Sequence, residues 1–251
     1  MACKLVSTPI DTNHKLREVE EDTKVDGEIY QCLVGRLIYL SHTRPNIAYV
    51  VSVISHFMHS PKEVHSQAAN RVLQYLKRFP GKDILFKWSS GLVQAYTDAN
   101  YIGSMVARRS TTGYCTFLGG NLVTWRSKKQ SLVVRSSVEA KFWAMTQGFC
   151  ELLWLKIILE ELKIKWYRPM RLYYDNKSGI SIVHNPVQHN WTKHIEIDKH
   201  FIKEKLDSEL IYTLYVSTDC QLIDILTKYL SSTKFQTSIS MLGMENIYSP
   251  T

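Results

Sequence analysis

Between Tyr30 and Phe79 the apolar positions recur at helical spacing. Leu33, Leu37 and Leu40 follow one another until Pro45 interrupts the run, and residues 47–58 form a second run, apolar on most sides, that stops at Pro61. A third run, residues 63–78, puts Ala69, Val72, Leu73 and Leu76 on one stripe and leaves Arg71, Lys77 and Arg78 off it. Pro80-Gly81 then breaks the chain. The pattern predicts an all-α subdomain over residues 29–88, preceded by a polar, aperiodic linker or disordered terminus at residues 1–28. From residue 91 the texture changes to short strands. Residues 92–97 lead to Asp98, and residues 113–118 form a hairpin with 122–125 through Gly119-Gly120-Asn121. A long helix is expected over 138–162, a strand over 170–174 ending at Asp175, and then a helix-like stretch. Residues 196–206 read as a helix, 210–216 as a strand and 220–228 as a closing helix. This order predicts an α/β domain with a mixed sheet over residues 91–235 and a tail over 236–251.

Charge adds a preference for partners. The net charge of +8 is unevenly spread: residues 18–28 hold six acids and one base, whereas residues 31–90 hold eight Lys/Arg and two acids. The body of the chain is therefore more basic than the total implies, which favours a polyanionic partner. The five cysteines are scattered, with no C-x-x-C pair, which argues against a disulfide framework or a zinc site and for a reducing compartment. No apolar run approaches a membrane span and no secretory signal opens the chain, so an intracellular protein without a membrane partner is expected, in the cytoplasm, a virus-like particle or the nucleus.

Candidate chemistry sits at strand ends. Residues 93–98 and 171–175 are both strands that stop on an aspartate, and Asp224 lies among apolar neighbours near a helix start. Carboxylates that converge at a sheet margin suit hard cations, and two such ions roughly 3.5–4 Å apart can activate water and stabilise a leaving oxygen. On spacing alone, two turn aspartates and a helix-terminal charge explain the same residues.

Longer motifs decide between these readings. Tyr-Thr-Asp98-Ala-Asn, Arg109-Ser-Thr-Thr-Gly-Tyr114, Trp125-Arg-Ser-Lys-Lys-Gln130 and Ser136-Ser-Val-Glu-Ala140 resemble the RNase H domain of Ty1/copia-type retrotransposon Pol polyproteins. Tyr174-Asp-Asn-Lys-Ser178, Thr192-Lys-His-Ile-Glu-Ile197 and Gln221-Leu-Ile-Asp-Ile-Leu-Thr-Lys228 continue the resemblance in the same order, over roughly residues 91–240. Residues 30–40 and 43–47 resemble the C-terminal end of the reverse transcriptase of such a polyprotein, although its Tyr-x-Asp-Asp polymerase motif is nowhere in the chain. The resemblance implies an RNase H-like five-stranded sheet with flanking helices. It also implies two Mg2+ ions held by Asp98, Asp175 and Asp224 as catalytic ligands, hydrolysis of RNA in RNA–DNA hybrids, and the N-terminal part of a reverse transcriptase as a further partner.

One position departs from that pattern. The family continues Ser-Thr-Glu-Ala-Glu-Tyr, with the second Glu as metal ligand, and here that position is Lys141. Lys141 is in phase with Met145, Leu152, Leu155 and Leu159, the stripe expected to face the sheet. Glu139 lies about 200° around the helix from the partner it would replace. It also completes a capping-box pattern with Ser136, so it is at best a weak substitute ligand. The expectation is that the Lys141 ammonium pairs with Asp98 or Asp175, weakens magnesium binding and impairs hydrolysis. A non-catalytic nucleic-acid-binding module and a decayed retroelement fragment are the alternatives. For nucleic-acid contact the candidates are Lys193 and His194, within the motif at 192–197, and Arg71, Lys77 and Arg78. Trp143, Phe149 and Trp154 read as core or interface residues rather than stacking platforms.

Overall fold

The computed structural model describes residues 5–11, 16, 25–89, 91–101, 109–131, 133–134, 136–176 and 193–248, with backbone alone at 167–168 and 193–195. The helix-like stretch expected after Asp175 therefore lies outside the described residues from 177 onward. The chain divides into two compact units: Met1–Leu85 together with Lys228–Thr251, and Phe86–Thr227.

In the first unit, α1 (Gly27–Ser41) starts where the Asp26 carboxylate accepts from the amides of Glu28 and Ile29, and it buries Tyr30, Val34 and Leu37 at successive turns. Pro45 occupies the first turn of α2 (Pro45–Ser55), where its missing N–H costs nothing. That helix is buried almost all round, and the Asn46 amide donates to the Tyr75 hydroxyl at 2.7 Å. Along α3 (Glu63–Arg78) the buried side is Ala68, Ala69, Val72 and Tyr75, while Leu73, expected in the stripe, is exposed.

Two expectations change here. The stretch read as a linker or disordered terminus has buried anchors in Ile10 and Leu16, and the Leu16 carbonyl pairs with the His65 imidazole at 2.8 Å. Isolated anchors carry no periodicity, so the pattern missed them. The stretch expected as the domain's end and a tail also belongs to this unit. Helix α7 (Ser232–Met241) packs Phe235 against Tyr75 with ring centroids 5.7 Å apart. Strand β7 (Met244–Asn246) then pairs antiparallel with β1 (Lys82–Ile84). Gly81 lets the Tyr248 ring lie close: a Cβ there would be 2.3 Å from it, so a larger residue would push that exposed side chain aside.

The second unit is an α/β domain with the mixed five-stranded sheet and flanking helices that the resemblance implies. Its five strands are β2 (Leu92–Asn100), β3 (Thr111–Leu118), β4 (Asn121–Lys129), β5 (Tyr167–Tyr174) and β6 (Ile211–Tyr215), in the order β4-β3-β2-β5-β6. The β2–β3 and β3–β4 pairs are antiparallel, and β2–β5 and β5–β6 are parallel. Gly119 and Gly120, both at positive φ, make the two-residue hairpin turn that such strands favour. Helix α4 (Ser137–Glu161) lies along the sheet and buries Phe142, Met145, Phe149, Leu152, Leu155 and Leu159. By length and composition it could cross a membrane, contrary to the sequence expectation that no run comes near. Its buried stripe and its partners on β2 and β5 identify it as the domain's core helix. Close approach is built in at Gly148, where a Cβ would meet Leu172 at 2.9 Å, and at Thr97, whose hydroxyl donates to the Ala144 carbonyl at 2.7 Å. Helix α5 (Lys193–Asp207) follows, with Ile202 in the same core. The closing helix is shorter than expected: a 3-10 turn at Thr218–Cys220 precedes α6 (Asp224–Thr227). Gln221 spends its side chain on the Thr97 carbonyl and the Ile223 amide, so the intervening residues are held to the sheet rather than wound into helix.

Candidate active site

The two central strands bring Asp98 and Asp175 together. Tyr96 of β2 is in register with Tyr173 of the parallel strand β5, so the residue two positions further on each strand lies at the same carboxyl-end margin. Asp98 does not end its strand as expected; β2 continues through Ala99 and Asn100, which pair with Thr112 and Thr111. Asp175 follows directly on the last residue of β5. This margin is where the neighbours of β2 switch from antiparallel to parallel, the kind of place at which open sheets leave a crevice.

Lys141 reaches this margin from the first turns of α4. Its ammonium lies 2.8 Å from both carboxylate oxygens of Asp175 and 3.3 Å from Oδ1 of Asp98. Both aspartate side chains are 2% exposed and the lysine side chain 22%. Burial, the largest single influence, pulls the lysine pKa down, but the Asp98 and Asp175 charges and hydrogen bonds outweigh it and hold the pKa above the ordinary value. The group is thus a charged ammonium whose donors are directed at carboxylate oxygens. Beneath it, the buried Tyr174 hydroxyl is pushed well above its usual pKa by burial first and then by the same two aspartates.

Asp224, the third expected ligand, is buried at the start of α6. Its segment lies on the same sheet face as Asp98, because Asp98 sits opposite Gly113, and a Cβ on Gly113 would meet Ile223 and Thr227 at 2.7 Å. Among the described residues, however, no three His, Cys, Asp or Glu side chains come together as a metal site. The arrangement does not fit a pair of magnesium ions. Mg2+ requires oxygen ligands at about 2.0–2.1 Å in octahedral order. A dication about 3 Å from an ammonium is opposed by on the order of 10 kcal/mol at an effective dielectric of about 20. Glu139 stays at the helix start, where its amide donates to the Ser136 hydroxyl at 3.1 Å.

The expected nucleic-acid contacts fare differently from one another. Arg71 lies 3.6 Å from Asp11 and 3.4 Å from the Thr8 hydroxyl within the first unit, with its side chain 30% exposed. Lys77 and Arg78 are exposed, and Arg78 lies 5.4 Å from the Phe79 ring centroid. The side chains of Lys193 and His194 lie outside the described residues. Sequence reasoning missed a cleft of about 180 Å3 between α4 and the β3–β4 hairpin, lined by Tyr114, Arg126, Lys128, Gln130, Trp143 and Gln147 among others. Trp143 packs against the buried cluster of Ala99, Val134, Ala140 and Ala144, in keeping with a core role, and also borders this cleft, whereas Phe149 is fully buried and Trp154 half exposed. The signal available in sequence was the alternation Arg126-x-Lys128 on one strand, which puts both bases on one face.

No family model matches the chain. The chain is 40% identical over 248 residues to the retrovirus-related Pol polyprotein from transposon RE1 of Arabidopsis thaliana, covering 98% of this chain and 17% of that protein. It is 35% identical over 250 residues to the corresponding polyprotein from transposon TNT 1-94 of Nicotiana tabacum, covering 97% of this chain and 19% of that protein. Among solved structures, RNase H1 from Halobacterium salinarum is similar with a TM-score of 0.40 and 14% identity, over 55% of this chain and 95% of that one. A likeness at that level adds nothing to the strand order above. The two polyproteins match along nearly the whole of this chain, which spans less than a fifth of their length, so the chain is similar to one segment of the retrovirus-related Pol polyproteins of such transposons.

Proposed function

We propose that the Phe86–Thr227 unit is an RNase H-type domain that engages RNA–DNA hybrid and hydrolyses its RNA strand weakly or not at all. The observation that carries this reading is the Lys141 ammonium between Asp98 and Asp175, at 2.8 and 3.3 Å. A family-like carboxylate there would add a ligand; the lysine removes one and adds positive charge where two cations would have to bind. Binding does not depend on that site. Arg126, Lys128 and Trp143 offer cations for phosphates and a ring for stacking, and phosphate contact needs no sequence preference. Partnership of the first unit with the rest of a reverse transcriptase, and a location inside the cell, belong to the same reading.

A labelled RNA–DNA hybrid tests the reading with two assays on the full chain in magnesium. Wild type should bind the hybrid with an affinity that falls steeply with salt and should release little cleaved RNA. Lys141→Glu should raise hydrolysis by orders of magnitude, and Asp98→Asn in that background should abolish the gain. A Lys141→Glu chain that binds but cuts no faster than wild type sinks the explanation. So does a wild type that already cuts, in an Asp98-dependent way, as fast as Lys141→Glu.

A further inference from the structure

We infer that Lys141 is a built-in counter-ion: its ammonium offsets one of the two negative charges of the Asp98–Asp175 pair and bridges both carboxylates, so the sheet margin stands without a divalent cation. The inference rests on reading this pair as the remnant of a metal site and concerns what the replacement does for the fold.

Two carboxylates, each 2% exposed, face one another across the ends of adjacent strands. Left to themselves they would repel and lack the water that normally solvates them, a strongly unfavourable arrangement for buried charge. A short or apolar residue at position 141 would leave that problem in place. Lysine resolves it because its reach from the sheet-facing stripe of α4 brings three carboxylate oxygens, two of Asp175 and one of Asp98, within 3.3 Å of the ammonium. The stem stays on the buried side, since Ala140, Phe142, Ala144 and Met145 around it are all buried. The position is tied down from both directions: Ser136 caps the helix one turn earlier, and Gln130 donates to the Ala140 carbonyl at 3.0 Å. The ammonium thus supplies part of the compensating charge that a bound cation would, and is delivered by the chain itself. Removing one partner of a buried ion pair is far more costly than replacing all of it by neutral groups.

Thermal unfolding of the full chain, with and without magnesium at matched ionic strength, tests the inference. Wild type should melt at the same temperature in both conditions. Lys141→Met should melt lower, by on the order of 10 °C, and magnesium should restore part of the loss. K141M combined with D98N and D175N should recover most of the stability without magnesium, because the two carboxylates that Lys141 touches are then neutral. Should K141M be recovered only unfolded, a folded triple variant supports the inference and an unfolded one overturns it. Magnesium raising the wild-type melting temperature as much as that of K141M would overturn it, as would K141M melting with wild type in the absence of magnesium. Hydrolysis by Lys141→Glu tests the remnant reading, whereas these melts read charge balance alone, so either can fail without the other.

Discussion

At the scale of single residues, position 141 shows how far sequence can reach. Its phase with Met145, Leu152, Leu155 and Leu159 placed the lysine on the sheet-facing stripe, and all four of those residues are buried. The aspartates it meets could be named because each lies toward the carboxyl end of a strand and within a recognisable motif, although β2 runs two residues past Asp98. Arg71 was legible only in part: its helical phase was right, but its partner Asp11 lies in a segment with no pattern to read. A second residue-scale demand was invisible, because nothing local distinguishes Gly113 from a permissive glycine. A Cβ there would press on Ile223 and Thr227 at 2.7 Å and on Leu226 at 3.1 Å. Gly113→Ala should therefore cost about 1–3 kcal/mol by forcing residues 221–227 off the sheet. Gly148→Ala should cost less, since its tightest neighbour is the end of a Leu172 side chain at 2.9 Å. Urea unfolding of both variants checks this; equal midpoints would mean that the α6 segment yields freely.

At the scale of elements, strongly periodic stretches were the readable ones. The three N-terminal helices, the β3–β4 hairpin and α4 follow from period and turn chemistry, because each buries one face and is bounded by proline, glycine or a cap. Strands β1 and β7 were missed, being three residues each with no alternation to detect. The cleft beside α4 was missed for another reason, since it exists only once a helix and a hairpin meet. The cap of α4 is an element-scale feature with a measurable contribution. Ser136→Ala removes the acceptor for the Glu139 amide and should destabilise the chain by about 1 kcal/mol, seen as a lower urea midpoint at unchanged slope. Because Lys141 lies just beyond that cap, the same variant should make K141M no worse than additive if the ammonium is held by the aspartates rather than by the helix start.

At the scale of the whole molecule, each unit carries buried tyrosines that favour folding below strongly alkaline pH. Burial pushes Tyr75 in the first unit, and Tyr96 and Tyr114 in the second, from 10.0 up to about 12. A phenol whose folded pKa is raised contributes stability that is complete below pH 10, the unfolded value, and is lost as pH rises through about 12. Unfolding followed by tyrosinate absorbance should therefore set in within that window; tyrosines that ionise near their free value while the far-UV signal stays native would contradict it. The division into units was only half legible. Helical and strand textures marked the change near residue 90, but nothing in the pattern of residues 228–251 tells which body they join. Their packing with Met1–Leu85, through Phe235 on Tyr75 and β7 on β1, makes the first unit discontinuous in sequence. The order of synthesis is then the reverse of the order of completion. As the chain leaves the ribosome, the helices α1 to α3 emerge first, yet the strand that pairs with β1 arrives only after the entire second unit has been made. A nascent chain halted after β1 but before residue 244 carries an unfinished first unit with an open strand edge, a form exposed to aggregation and proteolysis.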